Sequence, residues 1–252
     1  MGGAIARGLA KSDFVTPADI TVSNRGQEKL DLLKTYNPQI HTTTDNKAAI
    51  QEADIIILAV KPWVLDSVAI DIRKGLDLPR QMIVSVVAGA TIERLAALFT
   101  SGDAIPAIFR VMPNTAIAIR ESMTLFTPYN ATPEQVDCVR AMLDSLGKSL
   151  LVDESLMEVG TALCSCGTAF AMRYMRAAIE GGVEMGFRAQ DAQLVVEQTV
   201  RGAAELLLAT GNHPEVEIDR VTTPGGITIK GLNEMEMAGF SAAVIRGLKA
   251  SK

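Results

Sequence analysis

Aromatic residues make up only 4% of this 252-residue sequence, which has two histidines and three cysteines. With His41 and His213 as the only imidazoles, a zinc site or a Ser-His-Asp triad is hard to assemble, so we predict no metal. Three cysteines without a second pair do not make a zinc knuckle. Their odd number, together with the lack of a recognisable secretory leader at residues 1–7, favours a reducing, cytoplasmic location.

Positive charge and long apolar runs are also scarce. The net charge is −5 and no basic block occurs, so we expect no nucleic-acid partner. No apolar run reaches the roughly 18 residues of a membrane helix, so we expect no membrane span. Hydrophobic residues nevertheless make up 48% of the chain, enough for one large domain or two modest ones.

The first part of the chain alternates strand and helix patterns. Uninterrupted apolar runs are typical of parallel strands that are buried on both faces, and they occur at residues 54–60, 82–87 and 107–112. Shorter strands are predicted at 19–23 and 40–43, and helices at 2–12, 27–35, 48–52 and 91–98. From about Ser155 the strand signals end and four helices are predicted, at 166–187, 189–209, 229–237 and 240–249. We predict a Rossmann-like α/β domain over 1–153 and an all-helical domain over 154–252.

Small or polar residues follow the three apolar strands. A doubly wound sheet binds its ligand at the carboxyl ends of its strands. The sequence therefore predicts a nucleotide crevice, although ordinary strand-to-helix loops would explain any one of these segments. The predicted cofactor-binding residues at this edge are Ala59, Val60, Lys61, Pro62, Ala88, Gly89, Pro113 and Asn114.

The N-terminal segment Met1-Gly2-Gly3-Ala4-Ile5-Ala6 resembles the end of a dinucleotide-binding fingerprint. Gly2 would be its third glycine and would also bind the cofactor. The first strand and the first two glycines are then missing, so we expect a truncated chain or a misassigned start codon. Because that strand is normally central, its loss should break the sheet.

The end of the second predicted strand indicates the cofactor type. An acidic residue there would bind a ribose 2′-hydroxyl and favour NAD(H). Instead the chain has Ser23, Asn24 and Arg25, which suit a 2′-phosphate. We predict NADP(H), with NAD(H) as the alternative, and treat a solvated Arg25 as the simpler explanation to be excluded.

The most informative segment is residues 220–232, in which a Pro-Gly-Gly turn flanked by threonines opens into a helix. Unpaired backbone N–H groups at a positive helix end can bind a carboxylate, and a hydroxyl can donate beside it. The alternative is an ordinary cap and tight turn. The candidate substrate-binding residues, which we call the cradle, are Thr223, Gly225, Gly226, Ile227 and Thr228.

Together these residues resemble the pyrroline-5-carboxylate reductase family along essentially the whole chain. The motifs are residues 2–6, 23–25, 59–62, 84–89, 110–115 and, most specifically, 221–232. The resemblance implies NADPH-dependent reduction of a small cyclic imine, 1-pyrroline-5-carboxylate, to L-proline. It also implies a C-terminal dimerisation domain, in a homodimer or a higher oligomer of dimers, with active sites at the dimer interface. The cradle amides would hold the substrate carboxylate, and Thr228, the predicted catalytic residue, would bind the imine nitrogen.

Some positions depart from the usual family pattern. Cys164-Ser165-Cys166-Gly167 replaces Ser-Gly-Ser-Gly, and Asn114-Thr115-Ala116 replaces Asn-Thr-Pro. These changes could reshape the ring pocket, so the imine preference is left open. Alternative functions are a related imine or β-hydroxyacid reductase, or a truncated non-catalytic dimer.

Overall fold

The computed structural model describes residues 1–102 and 104–251. It divides into two compact units, Met1–Ser165 and Cys166–Lys252. The strands, all in the first unit, are β1 (Thr21–Ser23), β2 (His41–Thr43), β3 (Ile55–Leu58), β4 (Met82–Ser85), β5 (Ala107–Met112), β6 (Ser122–Tyr129) and β7 (Gly147–Leu151). The helices of the first unit are α1 (Gly2–Leu9), α2 (Gln27–Tyr36), α3 (Asn46–Ile50), α4 (Leu65–Ile72), α5 (Ile92–Phe99), α6 (Pro133–Asp144) and α7 (Met157–Thr161).

The strands form two sheets. A two-stranded parallel sheet contains β1 and β2, and a five-stranded sheet has the order β3-β4-β5-β6-β7. Pairing in the second sheet is parallel except between β5 and β6. The expected break in the sheet is therefore present, and it lies between β1 and β3.

The core consists of two apolar clusters on opposite faces of the five-stranded sheet. Met82 and Val84 of β4 belong to the cluster that includes residues of α1 and α6. Ile83, which points the opposite way, belongs to the cluster formed with α4 and α5. All four residues of β4 are buried. The fold thus has helices on both faces of a mostly parallel sheet, and the fold class predicted from the continuous apolar runs is confirmed.

Strands β6 and β7 and helices α4, α6, α7 and α10 (Pro214–Val221) were not predicted from the sequence. Strand β6 carries buried threonines and runs antiparallel to β5, so it has no continuous apolar run. The start of α6 does have a local signal, a capping box in which Thr132 and Gln135 bond each other's backbone N–H groups.

Every regular element described in the second unit, up to residue 251, is a helix. The remaining helices of this unit are α8 (Gly167–Glu184), α9 (Ala189–Thr210), α11 (Ile227–Met237) and α12 (Phe240–Ala250). His213 accepts a hydrogen bond from Glu215 N at 3.3 Å and caps α10. Among residues 1–102 and 104–251, no helix has both the length and the apolar character that a membrane span requires.

The guanidinium of Arg110 is buried in the first unit and forms an ion pair with Glu154. Its Nη1 lies 2.8 Å from Glu154 Oε1, and the same oxygen accepts a hydrogen bond from Ile92 N at 2.7 Å. The Arg110 side chain is 7% exposed. One carboxylate therefore connects β5, the first turn of α5 and the segment that leads into α7.

We expect Glu154→Ala to lower the free energy of unfolding by about 2–4 kcal/mol, because it leaves a buried guanidinium without its counter-charge. Chemical denaturation measures the effect. Glu158→Ala, which removes a carboxylate from the neighbouring helix α7, should change stability by less than about 0.5 kcal/mol. Equal stability of the two variants would show that the Arg110 contact is not structural.

Candidate active site

Three loops meet at one edge of the five-stranded sheet, because β3, β4 and β5 are parallel neighbours in register. Ala59 follows β3 and lies against the start of α1: a Cβ added to Gly2 would be 3.0 Å from Ala59 Cβ. Gly89 follows β4, is exposed, has φ +72° and would present an added Cβ to open space. A backbone that is accessible beside a helix N-terminus fits a phosphate-bearing ligand.

The third loop, after β5, is mostly buried. Pro113 is buried and Asn114 is only 7% exposed. Asn114 Nδ2 donates to Cys164 O at 3.1 Å, while its Oδ1 accepts from Ala116 N at 3.0 Å. The Asn114 amide therefore connects the strand end to the segment before α8, and its predicted cofactor contact stays a prediction.

The segment after β1 contains two polar side chains that form hydrogen bonds within the protein and one that is available to a ligand. Ser23 Oγ donates to Asn46 Oδ1 at 2.7 Å, and Asn24 Nδ2 donates to Gly26 O at 2.7 Å. Arg25 is exposed and pairs with none of the described side chains. An unpaired guanidinium just after the end of β1 fits the 2′-phosphate of NADP.

The cradle lies in the second unit and is built by two glycines with different requirements. Gly225 has φ +72°, a left-handed conformation that side chains disfavour. Gly226 N donates to Thr223 O at 2.9 Å and closes the turn. A Cβ on Gly226 would lie 2.5 Å from Thr223 Oγ1 and 3.0 Å from Thr223 O. The predicted tight turn is thus present, and only glycine fits its second position without displacement.

Helix α11 begins directly after this turn with uncapped N–H groups. Gly226 is its N-cap and provides no side-chain hydrogen bond. Ile227 is 87% exposed, and Thr228 is also exposed. Within the part of the chain that the structure describes, no hydrogen bond engages the Thr228 hydroxyl. The first turn of α11 thus offers backbone donors, the positive end of a helix dipole and a hydroxyl to an anionic ligand.

The Cys164-Ser165-Cys166 departure lies in a π-helical turn, Ala162–Cys166. Such turns are rare and are frequent at functional sites. Burial raises the pKa of the Cys164 thiol above its ordinary value, which disfavours its thiolate form. No group of three or more potential metal ligands occurs among the described residues.

Both the N-terminal and the C-terminal part of the chain match known protein families. Residues 1–89 match the family described as NADP oxidoreductase coenzyme F420-dependent, and residues 154–252 match the family described as pyrroline-5-carboxylate reductase dimerisation. The fold and these matches define an NADP-dependent oxidoreductase with a helical dimerisation domain.

Individual relatives narrow the class. Pyrroline-5-carboxylate reductase 2 of Dictyostelium discoideum is 38% identical over 100% of this chain and 87% of its own length. Pyrroline-5-carboxylate reductase 1 of that organism is 39% identical over the whole chain, which spans 47% of that relative's length. The NADP-bound structure of pyrroline carboxylate reductase from Plasmodium falciparum has 25% identity and a TM-score of 0.86, and the match covers 100% and 91% of the two chains.

The chain belongs to the pyrroline-5-carboxylate reductase family. The predicted resemblance, reductase class and NADP cofactor are thereby confirmed. The roles assigned to individual site residues stay predictions, as does the domain boundary at 153/154.

Several residues near the site were not predicted. Ser23 is hydrogen-bonded to Asn46, and Asn46 is hydrogen-bonded to Asp71. Because the two pairs are separated by 23 and 25 residues in the sequence, no local pattern predicts these contacts. Trp63, in the turn after β3, is 79% exposed, and Lys61 Nζ lies 5.9 Å from its ring centroid. Its position directly after the predicted cofactor-binding residues 59–62 is a signal in the sequence that could have pointed to it.

We expect Gly226→Ala to raise the KM for the imine substrate about tenfold, because Thr223 must shift to admit the methyl group and the turn before α11 moves with it. Steady-state kinetics measure the change. The control is Gly202→Ala in α9, where an added Cβ meets nothing within 4 Å. If the two variants have equal KM values, the geometry of the turn does not govern substrate binding.

Proposed function

We propose that this chain reduces 1-pyrroline-5-carboxylate to L-proline with NADPH, the last step of proline biosynthesis. The observation that carries the proposal is the cradle: a glycine turn that opens α11 with uncapped backbone donors beside a free hydroxyl. A five-membered imine with a carboxylate on the adjacent ring carbon matches this pairing of an anion site with a hydroxyl.

The reaction adds a hydride to the imine carbon and a proton to the nitrogen. NADPH, when bound, supplies the hydride. The backbone N–H groups of Ile227 and Thr228, in the first turn of α11, bind the carboxylate and orient the ring, while the N–H of Gly226 stays engaged in the turn. The addition of a hydride and a proton needs neither a metal nor a covalent nucleophile. The main contribution of the chain is therefore to position the substrate and the cofactor.

Thr228 provides the polar contact at the nitrogen. As the nitrogen gains electron density during hydride addition, a hydroxyl donor stabilises it, and solvent can supply the proton that remains on the product. Thr228 is in the first turn of α11, so the helix positions the hydroxyl beside the carboxylate-binding amides.

We expect Thr228→Ala to lower kcat about ten- to a hundredfold, on the scale of one lost transition-state hydrogen bond. NADPH oxidation in the presence of pyrroline-5-carboxylate measures the rate. Thr228→Ser, which keeps the hydroxyl, should retain most of the activity. An unchanged kcat in the alanine variant would remove Thr228 from the mechanism.

Gly2, the three loops after β3, β4 and β5, and residues 23–25 would bind NADPH. Arg25 would pair with the 2′-phosphate. The positive end of α1 and the backbone around Gly89 would receive the pyrophosphate and the adjoining sugar. This assignment is supported by the exposure of Arg25 and by the open space in front of Gly89.

We expect Arg25→Ala to raise the KM for NADPH about five- to tenfold and to leave that for NADH nearly unchanged, because only NADPH carries the phosphate. Lys29→Ala removes an equal, exposed charge from the first turn of α2 and serves as the control. A parallel loss with both cofactors would place Arg25 elsewhere than at the 2′-phosphate.

We further propose that the chain functions as a homodimer, or as a higher oligomer of dimers, in the cytoplasm, with its helical domain starting at residue 154. Large apolar side chains are exposed along the second unit, among them Leu194 at 69%, Leu208 at 79% and Met237 at 74%. Another copy of this surface would cover them. Sedimentation equilibrium should give at least twice the mass of the chain, and a monomer at micromolar concentration would contradict this assembly.

A further inference from the structure

A line of three polar side chains runs from the end of β1 to helix α4. Ser23 Oγ donates to Asn46 Oδ1 at 2.7 Å, and Asn46 Nδ2 donates to Asp71 Oδ2 at 3.0 Å. All three side chains are partly buried, and Lys47 Nζ lies 3.5 Å from Asp71 Oδ1. We call Ser23, Asn46 and Asp71 the relay.

The chemistry of the relay fixes the direction of every hydrogen bond in it. An ionised carboxylate only accepts, so Asn46 must turn its amide NH₂ toward Asp71. The amide oxygen of Asn46 then faces Ser23 and also only accepts. Ser23 must therefore direct its single hydroxyl hydrogen toward Asn46, and it presents only lone pairs to a ligand.

This direction distinguishes the two nicotinamide cofactors. The ribose 2′-hydroxyl of NADH can donate to the Ser23 oxygen, whereas the 2′-phosphate of NADPH at neutral pH is mainly an acceptor. Arg25, which is exposed, remains the donor for that phosphate. The end of β1 thus combines one group that favours NADPH with one that favours NADH.

We propose that Asp71, acting through Asn46, limits the preference of this chain for NADPH by holding the Ser23 hydroxyl as an acceptor. Asp71 is a positioning residue that does not itself contact the cofactor. The inference rests on the proposed function only in placing the adenosine ribose beside Ser23.

The test uses Asp71→Asn. An amide at position 71 can donate to Asn46 Oδ1, which lets the Asn46 side chain flip and donate to Ser23, so that the serine hydroxyl can donate to phosphate. Isothermal titration calorimetry with 2′,5′-ADP and 5′-AMP measures the change without catalysis. We expect the affinity ratio of 2′,5′-ADP to 5′-AMP to rise about tenfold, on the scale of one hydrogen bond to a charged group.

Two variants separate the relay from a simple loss of negative charge. Asp45→Asn removes a carboxylate beside Asn46 while an amide can still cap α3, and it should change the ratio less than threefold. Asn46→Ala keeps the net charge but releases Ser23, so it should raise the ratio as Asp71→Asn does. In a Ser23→Ala background, the gain from Asp71→Asn should disappear.

The outcomes distinguish the two proposals. If the wild-type chain binds neither nucleotide, the proposed cofactor site fails. If it binds both, but the ratio is unchanged in Asp71→Asn and Asn46→Ala, the relay is overturned while the cofactor site stands. An equal rise in Asp45→Asn and Asp71→Asn, with no rise in Asn46→Ala, would also overturn the relay, because charge alone would explain it.

Discussion

The ion pair between Arg110 and Glu154 is the constraint on which the first unit depends. A guanidinium in the middle of a buried strand requires a nearby negative charge, since its desolvation would otherwise oppose folding. One oxygen of Glu154 meets that requirement and also accepts from Ile92 N at the start of α5. Strand β5 and the start of α5, at the end of the loop after β4, are therefore held by the same carboxylate, and this loop borders the predicted crevice.

The two proposed ligand sites, one for the nucleotide and one for the substrate, are built from small groups. On the nucleotide side they are a glycine with open space before it and the start of α1, and on the substrate side they are the turn and first amides of α11. Backbone donors at a helix end are already oriented, so a ligand meets them with little reorganisation. Oriented backbone donors explain how a chain with only two histidines can belong to a family of reductases.

The sequence predicted the elements whose burial leaves a continuous pattern. Strands β3, β4 and β5 are apolar without interruption, and Pro-Gly-Gly requires a turn at which Gly225 takes a positive φ. Strand β6 was missed because Thr124 and Thr127, which are buried on opposite faces of the strand, interrupt its apolar run. Their hydroxyl groups are satisfied by contacts with Ser122 and Val152 O. The relay and the Arg110 pair join residues 23 to 44 positions apart, and such contacts exist only after the sheet and its helices have assembled.

Trp63 has a further consequence. It is the only tryptophan of the chain, and it is 79% exposed in the turn that follows β3. Its indole emission therefore arises from a single place, free of contributions from the core or from the helical unit. The protein thus carries an intrinsic optical probe at the rim of the predicted nucleotide crevice.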